Sequence, residues 1–290
     1  MAFKLFRKKP VPWPVRTSKM AEGRADKPDL AGRRAFMAEH IILQTHIPKT
    51  GGSALSHGIM NIVGAVHTMD LRLNRRVGVD EMSKADLDDL HFLTGHFRFG
   101  MHERFRRKPL YIAAVREPVA RAVSNYRFLL THSDHHQHPV VVDRDFEDAW
   151  HALAEDQGPS FFNLQSRMLT GTEGKRRPDA AALWEQIEDV YFLVIPQPEL
   201  NKAIQNLRSA FGVPWTRVMQ MNVSQGNEVD VTPAMAAHIR ETNALDIELY
   251  ERVSEGFPTK LTRACEYIAE RCLLPLDDLP EDVGSDPKSP

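Results

Sequence analysis

The sequence predicts an α/β fold, a mostly parallel sheet flanked by helices and followed by a helical C-terminal third. Short apolar runs at residues 41–45, 92–94, 111–115 and 191–195 read as strands, and stretches of helical periodicity separate them. The first run leads through Gly51 and Gly52 directly into a helix, the connection expected at the carboxyl end of a parallel strand. No glycine- or serine-rich linker and no fixed-period repeat divides the middle of the chain.

The elements follow in order. After the glycine pair, Leu55, Ile59, Ile62 and Val63 share one side of a helix that begins near Ser53. Beyond the run at 111–115, Pro118 suits the first position of a helix. There Val119, Ala122, Val123, Tyr126, Leu129 and Leu130 form one face, with Arg121 and Ser124 on the other. A later helix from Gln197 to Phe211 gathers Leu200, Ala203, Ile204, Leu207 and Phe211, and closes at Gly212 with Pro214 beyond. Thr232 and Pro233 are a cap and first residue for a helix expected to run to about Glu255. Asp246 and Tyr250 lie one turn apart on it and are assigned no chemical role. Ligands of such sheets sit outside the carboxyl ends of the strands.

Size and composition set limits. A chain of 290 residues with 42% hydrophobic residues buries one large core. Residues 38–274 are the expected domain, between a basic N-terminal tail (1–37) and an acidic, proline-rich C-terminal tail (275–290), both weakly ordered. The formal net charge of −2 favours neither nucleic acid nor a membrane surface as partner. Positive charge is local, at Arg104, Arg106, Arg107 and Lys108 and at Lys175, Arg176 and Arg177. Both clusters read as solvated surface, with an anionic acceptor as the alternative. The two cysteines, Cys265 and Cys272, stand about 10 Å apart on a helix, beyond the roughly 7 Å reach of a disulfide. They are expected as buried thiols in a reducing compartment, and the first ten residues carry charge but no apolar core long enough for a signal peptide or membrane span, so the expected location is cytoplasmic.

Two stretches carry chemistry. In the first, residues 46–55, a strand end, a glycine turn and a helix N-terminus make a cradle of backbone N–H groups for a phosphate, with Lys49 as the cation. The common nucleoside-triphosphate loop places its lysine after the second glycine, whereas Lys49 precedes both. In the second, residues 110–128, Arg116 at a strand end and Ser124 on the following helix are placed to grip a second phosphate.

Pro48–Ser53, followed some sixty residues later by Val115-Arg-Glu-Pro118 with Arg121 and Ser124, resembles the two cofactor loops of sulfotransferases that use 3′-phosphoadenosine 5′-phosphosulfate. The likeness is to the carbohydrate group that includes heparan sulfate 2-O-sulfotransferase. It implies a fold like that of the P-loop nucleotide hydrolases. Lys49, Thr50, Gly51, Gly52 and Ser53 would hold the 5′-phosphosulfate, and Arg116 and Ser124 the 3′-phosphate. Gly95-His96-Phe97 is similar to the segment carrying that family's proposed base, Tyr191–Val194 resembles a later core strand, and Asp246–Tyr250 a C-terminal helical segment. Animal 2-O enzymes have a second histidine two positions before the first, where this chain has Thr94, and they carry a membrane anchor that this sequence does not show.

The resemblance implies transfer of a sulfuryl group to a hydroxyl of a carbohydrate or glycoconjugate, with release of 3′-phosphoadenosine 5′-phosphate. Lys49 would stabilise the leaving phosphate and His96 would take the acceptor's proton; no metal is expected, because such transfer relies on positioning and charge. A kinase with a similar loop, and a protein that binds phosphoadenosine nucleotides without catalysis, are the rival readings. His46 is expected to pack beneath the first loop. The histidines of residues 132–138 lack metal-ligand spacing and are expected to flank the acceptor cleft. Asn163 and Arg167, one helical turn apart, either face the acceptor or bridge helices, and Asn222 is a candidate lining residue of the cofactor pocket.

Overall fold

The structure, a computed structural model, describes residues 30–64, 67–72, 82–213 and 229–272. The first half of the chain alternates helices and strands: α1 (Leu30–Glu39), β1 (His40–Thr45), α2 (Gly52–Val63), β2 (Thr68–Asp70), α3 (Lys84–Asp89), β3 (Phe92–Gly95) and β4 (Lys108–Val115). A helical stretch follows, α4 (Pro118–Thr131), α5 (His138–Val141), α6 (Phe146–Gln157), α7 (Leu164–Thr170) and α8 (Ala180–Glu185). The last strand and helices are β5 (Tyr191–Pro196), α9 (Leu200–Ala210), α10 (Pro233–Thr242) and α11 (Ala244–Arg271).

The described strands form one sheet in the order β2-β3-β1-β4-β5, and every pair is parallel. Alternation explains why the central strands are apolar throughout. Ile42, Leu110, Ile112 and Ala114 enter one core with α1, α2, α9 and the C-terminal half of α11. Ile41, Leu43, Tyr111, Ala113 and Val115 enter a second on the opposite face, with α7 and α8. The first half of α11 adds Leu249 and Val253 to that second core, so this helix passes from one face to the other beside the edge strand β5. Helices α4, α5, α6 and α10 build a third apolar cluster around Trp150 and Phe161.

Several boundaries differ from expectation. Helix α1 crosses the expected tail boundary at residue 37: Phe36 and Met37 are buried in the core, and so residues from 30 onward belong with the folded part. The helix expected from Thr232 to about Glu255 is two helices. Thr232 caps α10 through the N–H of Met235 at 3.1 Å, and the break falls at Asn243, whose side chain turns away to meet Asn163. Helix α11 then continues through Pro258 to Arg271, because Leu261, Ala264, Cys265 and Ile268 give it an apolar stripe to bury. Cys265 and Cys272 are buried free thiols. Strand β2 has no counterpart in the sequence reading. No helix among the described residues is long and apolar enough to cross a membrane.

Candidate functional site

Strand β1 is the centre of the sheet: the chain leaves it for β2 and β3 on one side and then crosses to β4 and β5 on the other. That reversal opens a crevice at the carboxyl ends of the strands, and the loops after β1, β3 and β4 all reach it. Register sets who meets whom. Thr45 pairs with Gly95, so His46 and His96, just beyond these two strand ends, stand side by side, while its pairing with Ala113 leaves β4 two residues longer, out to Val115.

The first loop is held from beneath. Thr50, fully buried, donates its hydroxyl to the Ile47 carbonyl at 2.9 Å, which closes the turn; its side chain therefore serves the loop, not the cleft. Lys49 and Gly51 have left-handed backbones, φ 68° and 85°. For a lysine this conformation costs on the order of 1 kcal/mol, strain of the kind found at ligand sites. A Cβ on Gly52 would come within 2.4 Å of the His46 ring, so only glycine fits there. The Gly52 carbonyl points inward to Gln44 Nε2 and Ser56 Oγ, each at 2.8 Å. Since the peptide is trans, the Ser53 N–H points the opposite way, outward at the start of α2 where first-turn amides lack intrahelical acceptors. Gln44 is itself fixed by Ser56 and Thr94. Thr94, at the position where the resembled family has a histidine, is thus part of a buried network under the loop.

Lys49 Nζ rests 4.0 Å from the centre of the Phe128 ring. Burial, and then the nearby Arg116, lower its pKa to about 8. The second loop meets the first at this point, with Arg116 Nη1 3.4 Å from the Lys49 carbonyl. The backbone of Arg116 is gripped in both directions by Gln165, whose Oε1 accepts from its N–H and whose Nε2 donates to its carbonyl, both at 2.8 Å. Its Nε is buried with no partner among the described residues. Pro118 opens α4 as expected, with Glu117 as cap. Ser124 and Arg121 line the cleft, but Arg121 is 4% exposed, where the sequence pattern had put it on the helix face away from the core.

His96 leaves β3 beside His46, and the two rings stack at 5.2 Å with planes 22° apart. Their surroundings differ. His46 is buried beneath the loop, and burial with the positive charges of Arg72, His96 and Lys49 takes its pKa down to about 3. His96 is exposed at the cleft, while desolvation of its inner side and the charge of Arg72 hold its pKa below the usual value and Asp70 opposes them. Both rings are neutral near pH 7.

The described residues enclose a cleft of about 1580 Å³ lined by Lys49, Gly51, Gly52, Ser53, His96, Arg116 and Ser124. Pockets for one small ligand typically measure about 300–1,000 Å³, so there is space for two. His132, His135 and His136 line its wall, and their loop flanks the cleft. Asn163 and Arg167 do not line it. Asn163 bridges helices, accepting from the Asp246 N–H at 3.1 Å and donating its own N–H to Asn243 Oδ1 at 2.9 Å. Arg167 is 1% exposed and binds the carbonyls of Gly174 and Arg176. Asn222 lies outside the described residues. Of the basic clusters, Arg104, Arg106 and residues 175–177 are exposed, whereas Arg107 turns inward.

The sequence reading missed Arg72, Gln44 and Gln165. Arg72 follows a three-residue strand with no apolar run to mark it, and the two glutamines act as hydrogen-bond fixtures without any motif of their own. No protein-family model matches this chain, and no curated protein matches it.

Proposed function

We propose that the chain is a sulfotransferase of the P-loop-like fold, moving a sulfuryl group from 3′-phosphoadenosine 5′-phosphosulfate to a hydroxyl of a carbohydrate or glycoconjugate. The observation that carries the reading is the meeting of the two loops: Arg116 reaches the Lys49 carbonyl while its Nε has no partner among the described residues. Two cationic loops drawn together with unmet donors suit one ligand bearing two anionic groups.

In this reading the amides at the start of α2 and the Lys49 ammonium, moved from Phe128, meet the 5′-phosphate, and Arg116 and Ser124 meet the 3′-phosphate. As the bond from sulfur to the phosphate oxygen breaks and the bond to the acceptor oxygen forms, negative charge grows on the leaving phosphate, where Lys49 counters it. The acceptor's proton passes to His96, which is exposed and neutral near pH 7. His46, buried with its pKa at about 3, is a poor base. The kinase reading is weaker because Lys49 precedes both glycines and the loop lacks the first glycine of the triphosphate pattern.

The test is transfer of radiolabelled sulfate from the donor to a panel of sugars, glycolipids and phenols. The wild type should label a hydroxylated acceptor, and His96→Ala should do so about 10²–10⁴-fold more slowly, the range for loss of a general base. Absence of transfer across the panel, or equal turnover by the variant, would count against the reading or the base respectively.

A further inference from the structure

Three neighbouring strands end at nearly the same level. Asp70 pairs with Thr94 and Thr45 with Gly95, so Arg72, two residues past Asp70, arrives beside His46 and His96. The buried Asp70 carboxylate holds its guanidinium as a fork, with Nε on Oδ1 at 2.9 Å and Nη2 on Oδ2 at 2.5 Å, and also accepts the Arg72 backbone N–H at 2.9 Å. A planar fork held on one edge aims its remaining nitrogen in a fixed direction. Here Nη1 points at the first loop, 3.0 Å from Ser53 Oγ and 3.2 Å from His46 Nε2.

Each contact has a chemical consequence. Ser53 Oγ accepts from Arg72, so the hydroxyl proton is left for another acceptor, and Ser53 lines the cleft. His46 Nε2 accepts as well, and a neutral imidazole has a single acceptor nitrogen, so that lone pair is occupied. His96 keeps its lone pair. Among the described residues, the charged and titratable groups around the two rings are Arg72, Asp70 and Lys49.

We propose that Arg72, clamped by Asp70, is the positioning residue of this site. It makes the Ser53 hydroxyl a donor to the transferred group and occupies His46, leaving His96 as the imidazole of the pair that can take the acceptor's proton. The inference rests on the sulfuryl-transfer reading. Arg72 acts through Ser53 and the histidines, while the nucleotide phosphates are held by Lys49, Arg116 and Ser124.

The test compares Arg72→Ala and Arg72→Lys with the wild type in the full chain. Arg72→Ala should bind 3′-phosphoadenosine 5′-phosphate within about threefold of wild type yet turn over about 10²-fold more slowly, as for loss of a transition-state donor. Its acid limb should move to higher pH, because removing a positive charge lets His96 protonate more readily, and added guanidinium should restore part of the rate. Arg72→Lys keeps the charge without the fork, so it should keep the acid limb and lose rate. Unchanged turnover and acid limb in Arg72→Ala, or a loss of bisphosphate affinity as large as that of Lys49→Ala, overturns the proposal.

Imidazole titration followed by NMR, without substrate, separates this failure from that of the reaction itself. In the wild type His46 should stay neutral to about pH 4, one unit above its pKa of about 3, and in Arg72→Ala it should titrate at higher pH. A wild type that transfers no sulfate removes the sulfotransferase reading, and unmoved His46 and His96 titrations in folded Arg72→Ala remove the role of Arg72.

Discussion

Strand β4 is flanked by two arginines, Arg107 just before it and Arg116 just after. Both guanidiniums are desolvated, and burial lowers the pKa of each. They differ in what the chain offers them. Arg107 donates to the carbonyls of Met37, His40, Leu87 and Leu90, tying α1, β1 and the end of α3 together at the base of the sheet. Among the described residues, Arg116 has one long contact to the Lys49 carbonyl and an Nε with no partner, although its backbone is held firmly by Gln165. The first arginine completes the fold. The second is positioned with donors unmet, and a buried donor left unmet costs about 1–3 kcal/mol until a ligand supplies the acceptor.

The largest effect should come from removing the satisfied arginine. Arg107→Ala leaves several carbonyls without their donor and should lower the unfolding free energy by about 2–4 kcal/mol, read by denaturant titration. Arg116→Ala should leave it unchanged or raise it, by up to about 1–3 kcal/mol, since the variant removes a buried donor that is unmet in the free protein. Equal losses would erase the contrast between the two ends of β4.

A smaller effect concerns the cation next to Arg116. Lys49 has its pKa lowered to about 8, so its ammonium is present below that pH and is lost as pH rises through it. Affinity for the bisphosphate should therefore fall above about pH 8, by up to about tenfold per pH unit, and binding there should take up a proton. Calorimetry in buffers of different ionisation enthalpy reads that proton directly. A flat profile between pH 7 and 9.5 would mean that Lys49 does not meet the ligand's charge.

Much of this was legible in the sequence. Strands β1, β3, β4 and β5 showed themselves because strands buried on both faces must be apolar throughout, and the glycine pair after β1 marked the tight turn. What escaped depended on tertiary contacts. The break at Asn243 exists because that side chain docks on Asn163, and α11 passes Pro258 because the core accepts its apolar stripe. Asp246, to which sequence pattern alone assigns no chemical role, takes the N–H groups of Gln165 and Ser166 and so orders the residue that grips Arg116. Strand β2 buries only Met69 among apolar side chains, too little pattern to be seen, and Arg72 was lost with it. Arg121 shows the limit of helical periodicity, which treats a charged residue as outward-facing even where a cleft or a buried acid such as Asp246 lies inside.

The claim that Arg116 waits for a phosphate is tested most directly by titrating wild type and Arg116→Ala with two nucleotides that differ at that group. For 3′-phosphoadenosine 5′-phosphate the variant should bind more weakly by about 1.5–3 kcal/mol, the worth of a charge-assisted contact, while adenosine 5′-phosphosulfate should bind both proteins alike. Equal weakening for the two nucleotides, or no binding of the bisphosphate by the wild type, would contradict the account.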